Sequence, residues 1–70
     1  MTTSGAITLN GERRDWPQPQ SVEQLLHALT LDARIVAVEL NRLVVKRARF
    51  GATQVCAGDE VEIVSFVGGG

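Results

Sequence analysis

Seventy residues with a formal net charge of −1 and a hydrophobic fraction of 44% make one small domain with a single modest core. A charge so near zero excludes the broad basic field that nucleic acid or an anionic membrane surface calls for. The one cysteine, Cys56, excludes an internal disulfide framework and an all-cysteine metal cage. No apolar run approaches the roughly 20 residues of a membrane span and no signal-peptide pattern opens the chain, so a soluble cytoplasmic protein in a reducing compartment is expected.

Met1 to Gly5 is small and polar and is expected to be loose. Ala6-Ile7-Thr8-Leu9 reads as a strand that meets Asn10-Gly11, the pair best suited to the positive φ angles of a two-residue hairpin turn. Glu12 to Trp16 is the return strand, ended by Pro17 and Pro19, which cannot donate to a ladder. Trp16 is expected to be a partly buried cover at the core edge.

Ser21 has the character of a helix N-cap, and Gln24 three residues later completes a capping box. Val22, Leu25, Leu26 and Leu29 follow at helical spacing and form one apolar stripe, predicting a helix over 22–30. Ile35 to Leu40 reads as a strand, Asn41-Arg42 as a turn and Leu43-Val44-Val45 as a short return. Residues 46–51 are irregular, with room for one helical turn. Thr53-Gln54-Val55 reads as a brief edge strand.

Gly58-Asp59 turns the chain into Val61-Glu62-Ile63-Val64-Ser65-Phe66-Val67, a strand rich in β-branched and aromatic residues. A lone helix after the first hairpin has one sheet face to cover. The expected class is therefore α+β, a mixed sheet of four to five strands rolled around one main helix, with the last strand central because it is the most apolar. The division expected is a folded unit over 1–66 and a glycine tail over 67–70.

Alternation along that last strand sends Val61, Ile63 and Ser65 to one face and Glu62, Val64 and Phe66 to the other. With Glu62 in solvent, Val64 and Phe66 become exposed apolar groups beside Val67 and the tail, and together they form the candidate partner-binding patch. Gly68-Gly69-Gly70 has no side chains and suits a channel too narrow for them. Four extended residues reach at most roughly 13 Å. Gly70 carries an α-carboxylate, ionised at neutral pH with a reference pKa of about 3.5. Joined to a nucleotide as an acyl-phosphate anhydride, it gains a leaving group and accepts a sulfur or nitrogen nucleophile. The alternative is a frayed end of no chemical consequence.

The other chemistry-bearing residues point to no catalytic set. His27 falls opposite the leucine stripe and reads as a surface histidine. Cys56 has no neighbouring histidine or cation cluster to activate it and reads as a buried or half-buried structural residue. Asp59, Glu60 and Glu62 read as a solvated acidic group, with docking to a basic partner as the alternative. Arg13, Arg14, Lys46, Arg47 and Arg49 read as solvated or engaged with an acidic partner. The glycines lack the strand, loop and Lys-Ser/Thr context of a phosphate-binding loop, so any ATP site belongs to a partner.

The order of elements, the Ala57-Gly58-Asp59-Glu60-Val61-Glu62-Ile63 turn and strand, and the Phe66-Val67-Gly68-Gly69-Gly70 ending resemble the ubiquitin-like sulfur carriers, and among them the ThiS family of thiamine biosynthesis. The likeness runs over nearly the whole chain, and its most specific part is the final strand ending in Gly-Gly. It implies a β-grasp fold and a carrier that is neither an enzyme nor a holder of a bound cofactor. In such carriers an E1-like, ThiF-like adenylyltransferase uses ATP to adenylate the terminal carboxylate. Sulfur drawn from cysteine through a desulfurase persulfide then replaces the adenylate, leaving a thiocarboxylate. A ThiG-like thiazole synthase takes that sulfur into the thiazole ring. By this resemblance Gly70 is the modified residue, Gly69 completes the diglycine, and Gly68 lies outside the minimal pair. The same tail chemistry leaves open a carrier of the molybdopterin-synthase small-subunit type and a ubiquitin-like protein modifier. A plain binding module is the reading from a different class.

Overall fold

The computed structural model describes residues 5–66. The first two strands, β1 (Ala6–Leu9) and β2 (Glu12–Asp15), form an antiparallel hairpin with Leu9 opposite Glu12. Its turn residues Asn10 and Gly11 have φ of 51° and 85°, the doubly left-handed turn that the Asn-Gly pair favours. All four residues of β2 are exposed, and their charges blunt a sheet edge that would otherwise invite pairing.

Trp16 is not an edge cover. It is only 4% exposed, and its indole N–H donates to the Val55 carbonyl at 2.8 Å. The backbone before β1 is also closer than expected, because the Trp16 N–H donates to the Gly5 carbonyl at 2.8 Å. A Cβ on Gly5 would lie 2.6 Å from the Trp16 carbonyl oxygen, so only glycine fits this approach.

A two-residue strand, β3 (Gln20–Ser21), leads into α1 (Val22–Ala28). The capping box forms as expected: Gln24 N–H donates to Ser21 Oγ at 3.0 Å, and Ser21 N–H donates to Gln24 Oε1 at 2.8 Å. The first-turn N–H groups of Val22 and Glu23, which have no intrahelical acceptor, donate to the carbonyls of Thr53 and Phe50. Val22, Leu25 and Leu26 are buried, as the stripe predicts.

The helix stops before Thr30 because Thr30 itself turns left-handed, at φ 59°. The Thr30 N–H donates to His27 O and the Leu31 N–H to Leu26 O, the bonding of a Schellman ending. A β-branched residue sits badly in that conformation, where glycine is at ease. Thr30→Gly is therefore expected to stabilise the domain by about 1 kcal/mol, read as a rise in thermal midpoint of several degrees. A midpoint unchanged or lowered would refute the strain.

A 3₁₀ turn over Ala33–Ile35 is capped by Asp32, whose carboxylate accepts from the Arg34 backbone N–H and guanidinium. The Arg34 side-chain bond, followed by the backbone bond, holds the Asp32 carboxyl at about 2, below the ordinary 3.8. A depressed folded value means that the contribution is complete above the ordinary value and is lost as pH falls towards 2. An NMR titration of the Asp32 carboxyl is expected to find its midpoint near 2, and Arg34→Gln to move it up towards the usual range.

The remaining elements are β4 (Val36–Leu40), β5 (Leu43–Val45), a 3₁₀ turn over Arg47–Arg49, β6 (Gln54–Val55) and β7 (Glu60–Ser65). One sheet has the order β2-β1-β7-β4-β5, and β6 pairs with β3 apart from it. The pairing of β1 with β7 is parallel and the other pairings are antiparallel, so the sheet is mixed and has five strands. As expected, β7 is central. The core gathers Ile7, Trp16, Val22, Leu25, Leu26, Val36, Val38, Phe50, Val55, Val61 and Ile63 between helix and sheet.

Candidate partner-docking face

Along β7, Val61 and Ile63 point into the core, while Glu62 and Val64 are exposed. Val64 is 59% exposed and Phe66, just past the strand, is 67% exposed. The Phe66 N–H still donates to the Ile35 carbonyl at 2.7 Å, so pairing with the neighbouring segment continues to that residue. These two members of the expected patch therefore share the outer face of the central strand. Val67, Gly68, Gly69 and Gly70, the other expected site residues, lie outside the described residues.

Register widens the face. Ala37 is opposite Val64, Glu39 is opposite Glu62, and Glu39 is also opposite Val44 on β5. Ala37, Glu39 and Val44 thus share the outer side with Val64. Val44 is 73% exposed. Leu43 is 72% exposed but belongs to the opposite alternation, uncovered because β5 is the sheet edge. The face is an apolar surface of Val44, Ala37, Val64 and Phe66, interrupted by two glutamates directly across from each other. Like charges so placed repel. Among the described residues the ion pairs are Arg34–Asp32 and Arg42–Glu60, and neither Glu39 nor Glu62 joins one. A partner offering apolar area with a cation would complement this face.

The sequence pointed to Val64 and Phe66 and missed Val44, Ala37 and Glu39. The two-residue turn at Asn41-Arg42 was enough to place Val44 opposite Glu39. The pairing of β4 with β7, strands well apart in sequence, was not readable locally.

The remaining candidates are dispersed. Asp59 accepts from the Cys56 N–H at 2.8 Å and from Asn41 Nδ2 at 3.2 Å, Glu60 pairs with Arg42 at 3.5 Å, and Glu62 stands on the outer face. The acidic group is therefore divided among three tasks. Cys56 is exposed, not buried or half-buried, because the turn carrying it projects from the sheet and closes through the Asp59 N–H on the Cys56 carbonyl. His27 is on the exposed side of α1 as expected, in a shallow depression with Gln20, Glu23 and Gln24. Arg13, Arg14, Lys46, Arg47 and Arg49 are all exposed. Among the described residues no three His, Cys, Asp or Glu side chains converge as metal ligands, and no helix is long and apolar enough to cross a membrane.

A mixed five-stranded sheet on one helix, with the C-terminal strand at its centre, defines a ubiquitin-like β-grasp domain. The crystal structure of thiamine biosynthesis protein ThiS from Geobacter metallireducens superposes with a TM-score of 0.80 at 41% identity, covering 93% of this chain and 99% of that one. Sulfur carrier protein ThiS of Bacillus subtilis (strain 168) is 35% identical over 65 residues, 91% of this chain and 98% of that protein. A thiazole synthase of Paramagnetospirillum magneticum is 42% identical over 64 residues, and there the chain spans only 20% of the relative's length. The family model of ThiS matches residues 7–70, and the chain belongs to the ThiS family.

Proposed function

We propose that this protein carries sulfur for thiazole formation in thiamine biosynthesis. A ThiF-like adenylyltransferase directs a Gly70 carboxylate oxygen at the α-phosphorus of ATP, and pyrophosphate leaves. A persulfide sulfur from a cysteine desulfurase then attacks the acyl carbon and displaces AMP. Cleavage of the resulting acyl disulfide by a thiol leaves a thiocarboxylate on Gly70. A ThiG-like thiazole synthase accepts that sulfur, and the carboxylate returns for another cycle.

The chain's own part is positional. The outer face with Val64 and Phe66, together with Val67, docks the partner, and Gly68 and Gly69 let the tip enter a narrow site. The observation that carries this reading is the family match through residue 70, together with the near-complete coverage of the Bacillus subtilis carrier. A segment like this chain within proteins named thiazole synthase supports that enzyme as the recipient. The test is intact-mass spectrometry after incubation with ATP, a ThiF-type enzyme, a desulfurase, cysteine and a thiol. The expected result is a gain of one oxygen-to-sulfur exchange located on Gly70. No shift with an enzyme proven on another carrier would overturn the proposal.

A further inference from the structure

The start of β7 is held by two asparagines in the same unusual way. Asn10 directly follows β1 and Asn41 directly follows β4, the two strands that flank β7, and both are left-handed, at φ 51° and 52°. Each still donates its backbone N–H into the ladder: Asn10 to the Val61 carbonyl at 2.9 Å, and Asn41 to the Glu60 carbonyl at 2.7 Å. In a regular ladder the next rung would use each asparagine's own carbonyl, which in a parallel pair accepts two residues further on and in an antiparallel pair accepts from the residue directly opposite. Here the left-handed turn carries the chain away, and the side-chain carbonyl takes that rung. The Ile63 N–H donates to Asn10 Oδ1 at 2.8 Å, and the Glu60 N–H donates to Asn41 Oδ1 at 2.9 Å.

The rung at Asn10 matters more. The parallel pairing of β1 with β7 covers only Thr8 with Glu60 and Leu9 with Val61. Beyond it, β4 binds one side of β7 as far as Ser65, while the Asn10 side chain extends the hold on the other side to Ile63. Val64 and Phe66 follow at once.

We infer that Asn10, aided by Asn41, is a positioning residue that steadies the β1 side of β7 as far as Ile63 and so the docking-face residues Val64 and Phe66 just beyond it. This rests on the carrier reading above. Pre-organisation of this kind appears as affinity, because a partner meets the competent arrangement more often.

Two substitutions separate the side-chain bond from the turn. Asn10→Gly keeps left-handed freedom and removes the acceptor. Asn10→Asp keeps an acceptor oxygen and tolerates the same φ. NMR hydrogen exchange is expected to show the Ile63 amide opening about ten-fold faster or more in Asn10→Gly, with Val38 as an unaffected core reference and Asn10→Asp close to the native chain. Asn41→Gly is expected to release the Glu60 amide in the same assay. In steady-state thiocarboxylation with a ThiF-type enzyme, Asn10→Gly is expected to raise KM for the carrier about five-fold with kcat nearly unchanged, and Asn10→Asp to restore it.

Unchanged Ile63 exchange in Asn10→Gly would overturn the latch. Faster exchange with an unchanged KM, or an equal KM rise in both Asn10 variants, would overturn the positioning role. A native chain that takes no sulfur would overturn the carrier reading and the positioning role with it, while the exchange difference would still register the latch.

Discussion

Trp16→Ala is expected to leave the chain unfolded at ambient temperature. The indole is 4% exposed and belongs to the hydrophobic core, so its removal opens a void that the ten other buried residues cannot close without shifting. Truncating a buried tryptophan costs about 3–5 kcal/mol. A single core in a domain of this size supplies only about 3–5 kcal/mol in total. The effect is therefore as large as the whole stability. Trp16→Phe divides the cause. It keeps most of the apolar volume and withdraws only the N–H that meets the Val55 carbonyl at 2.8 Å, a bond linking the end of the first hairpin to β6. That variant is expected to fold with a loss of about 1 kcal/mol plus a small packing term. Thermal melts by circular dichroism and the dispersion of amide resonances distinguish the two. A cooperative Trp16→Ala transition within a few degrees of the native one would show that the indole is not the keystone of this core.

Trp16 also shows where the sequence ran short. Beside Pro17 and next to a charged strand, it carries no periodic context that says which way it turns, and only the meeting with Val55, 39 positions later, decides it. Cys56 departs from expectation for the same reason: a small apolar side chain reads as buried or half-buried, yet its turn is closed by Asp59 and stands outside the sheet. The two-residue pairing of β3 with β6 is too short to leave an alternation. Where local physics dominates, the sequence was sufficient. Ser21 and Gln24 fixed the helix start, Asn10-Gly11 fixed the hairpin, and the apolar run of β7 placed it centrally. The outward pair Val64 and Phe66 followed from alternation alone, whereas their neighbours Ala37 and Glu39 needed the long-range register. The asparagines are an intermediate case. Asn10-Gly11 announced a left-handed turn and Asn41-Arg42 a turn, but the second use of each side chain, as a substitute rung for a distant strand, needed the fold to appear.

The largest functional effects are expected at the end of the chain, and they divide into two kinds. Removing Gly70 shortens the reach by roughly 3.5 Å, which, on the carrier reading proposed above, would leave the remaining carboxylate short of the adenylation site. This variant is expected to gain no sulfur at any concentration of ThiF-type enzyme, with an unchanged melting temperature. Phe66→Ala acts before the chemistry. Phe66 is 67% exposed, so its removal is expected to alter stability by no more than about 0.5 kcal/mol. As the aromatic anchor of the outer face it is expected to carry about 2 kcal/mol of docking, which raises KM about thirty-fold and is overcome by more enzyme. Leu43→Ala supplies the decisive comparison. Leu43 is as exposed as Phe66 but belongs to the other alternation, at the sheet edge. If the outer face docks the partner, Leu43→Ala leaves KM nearly as it was. If both truncations raise KM alike, the contact follows exposed apolar area in general, and the face built by β7, β4 and β5 has no special claim as the docking site.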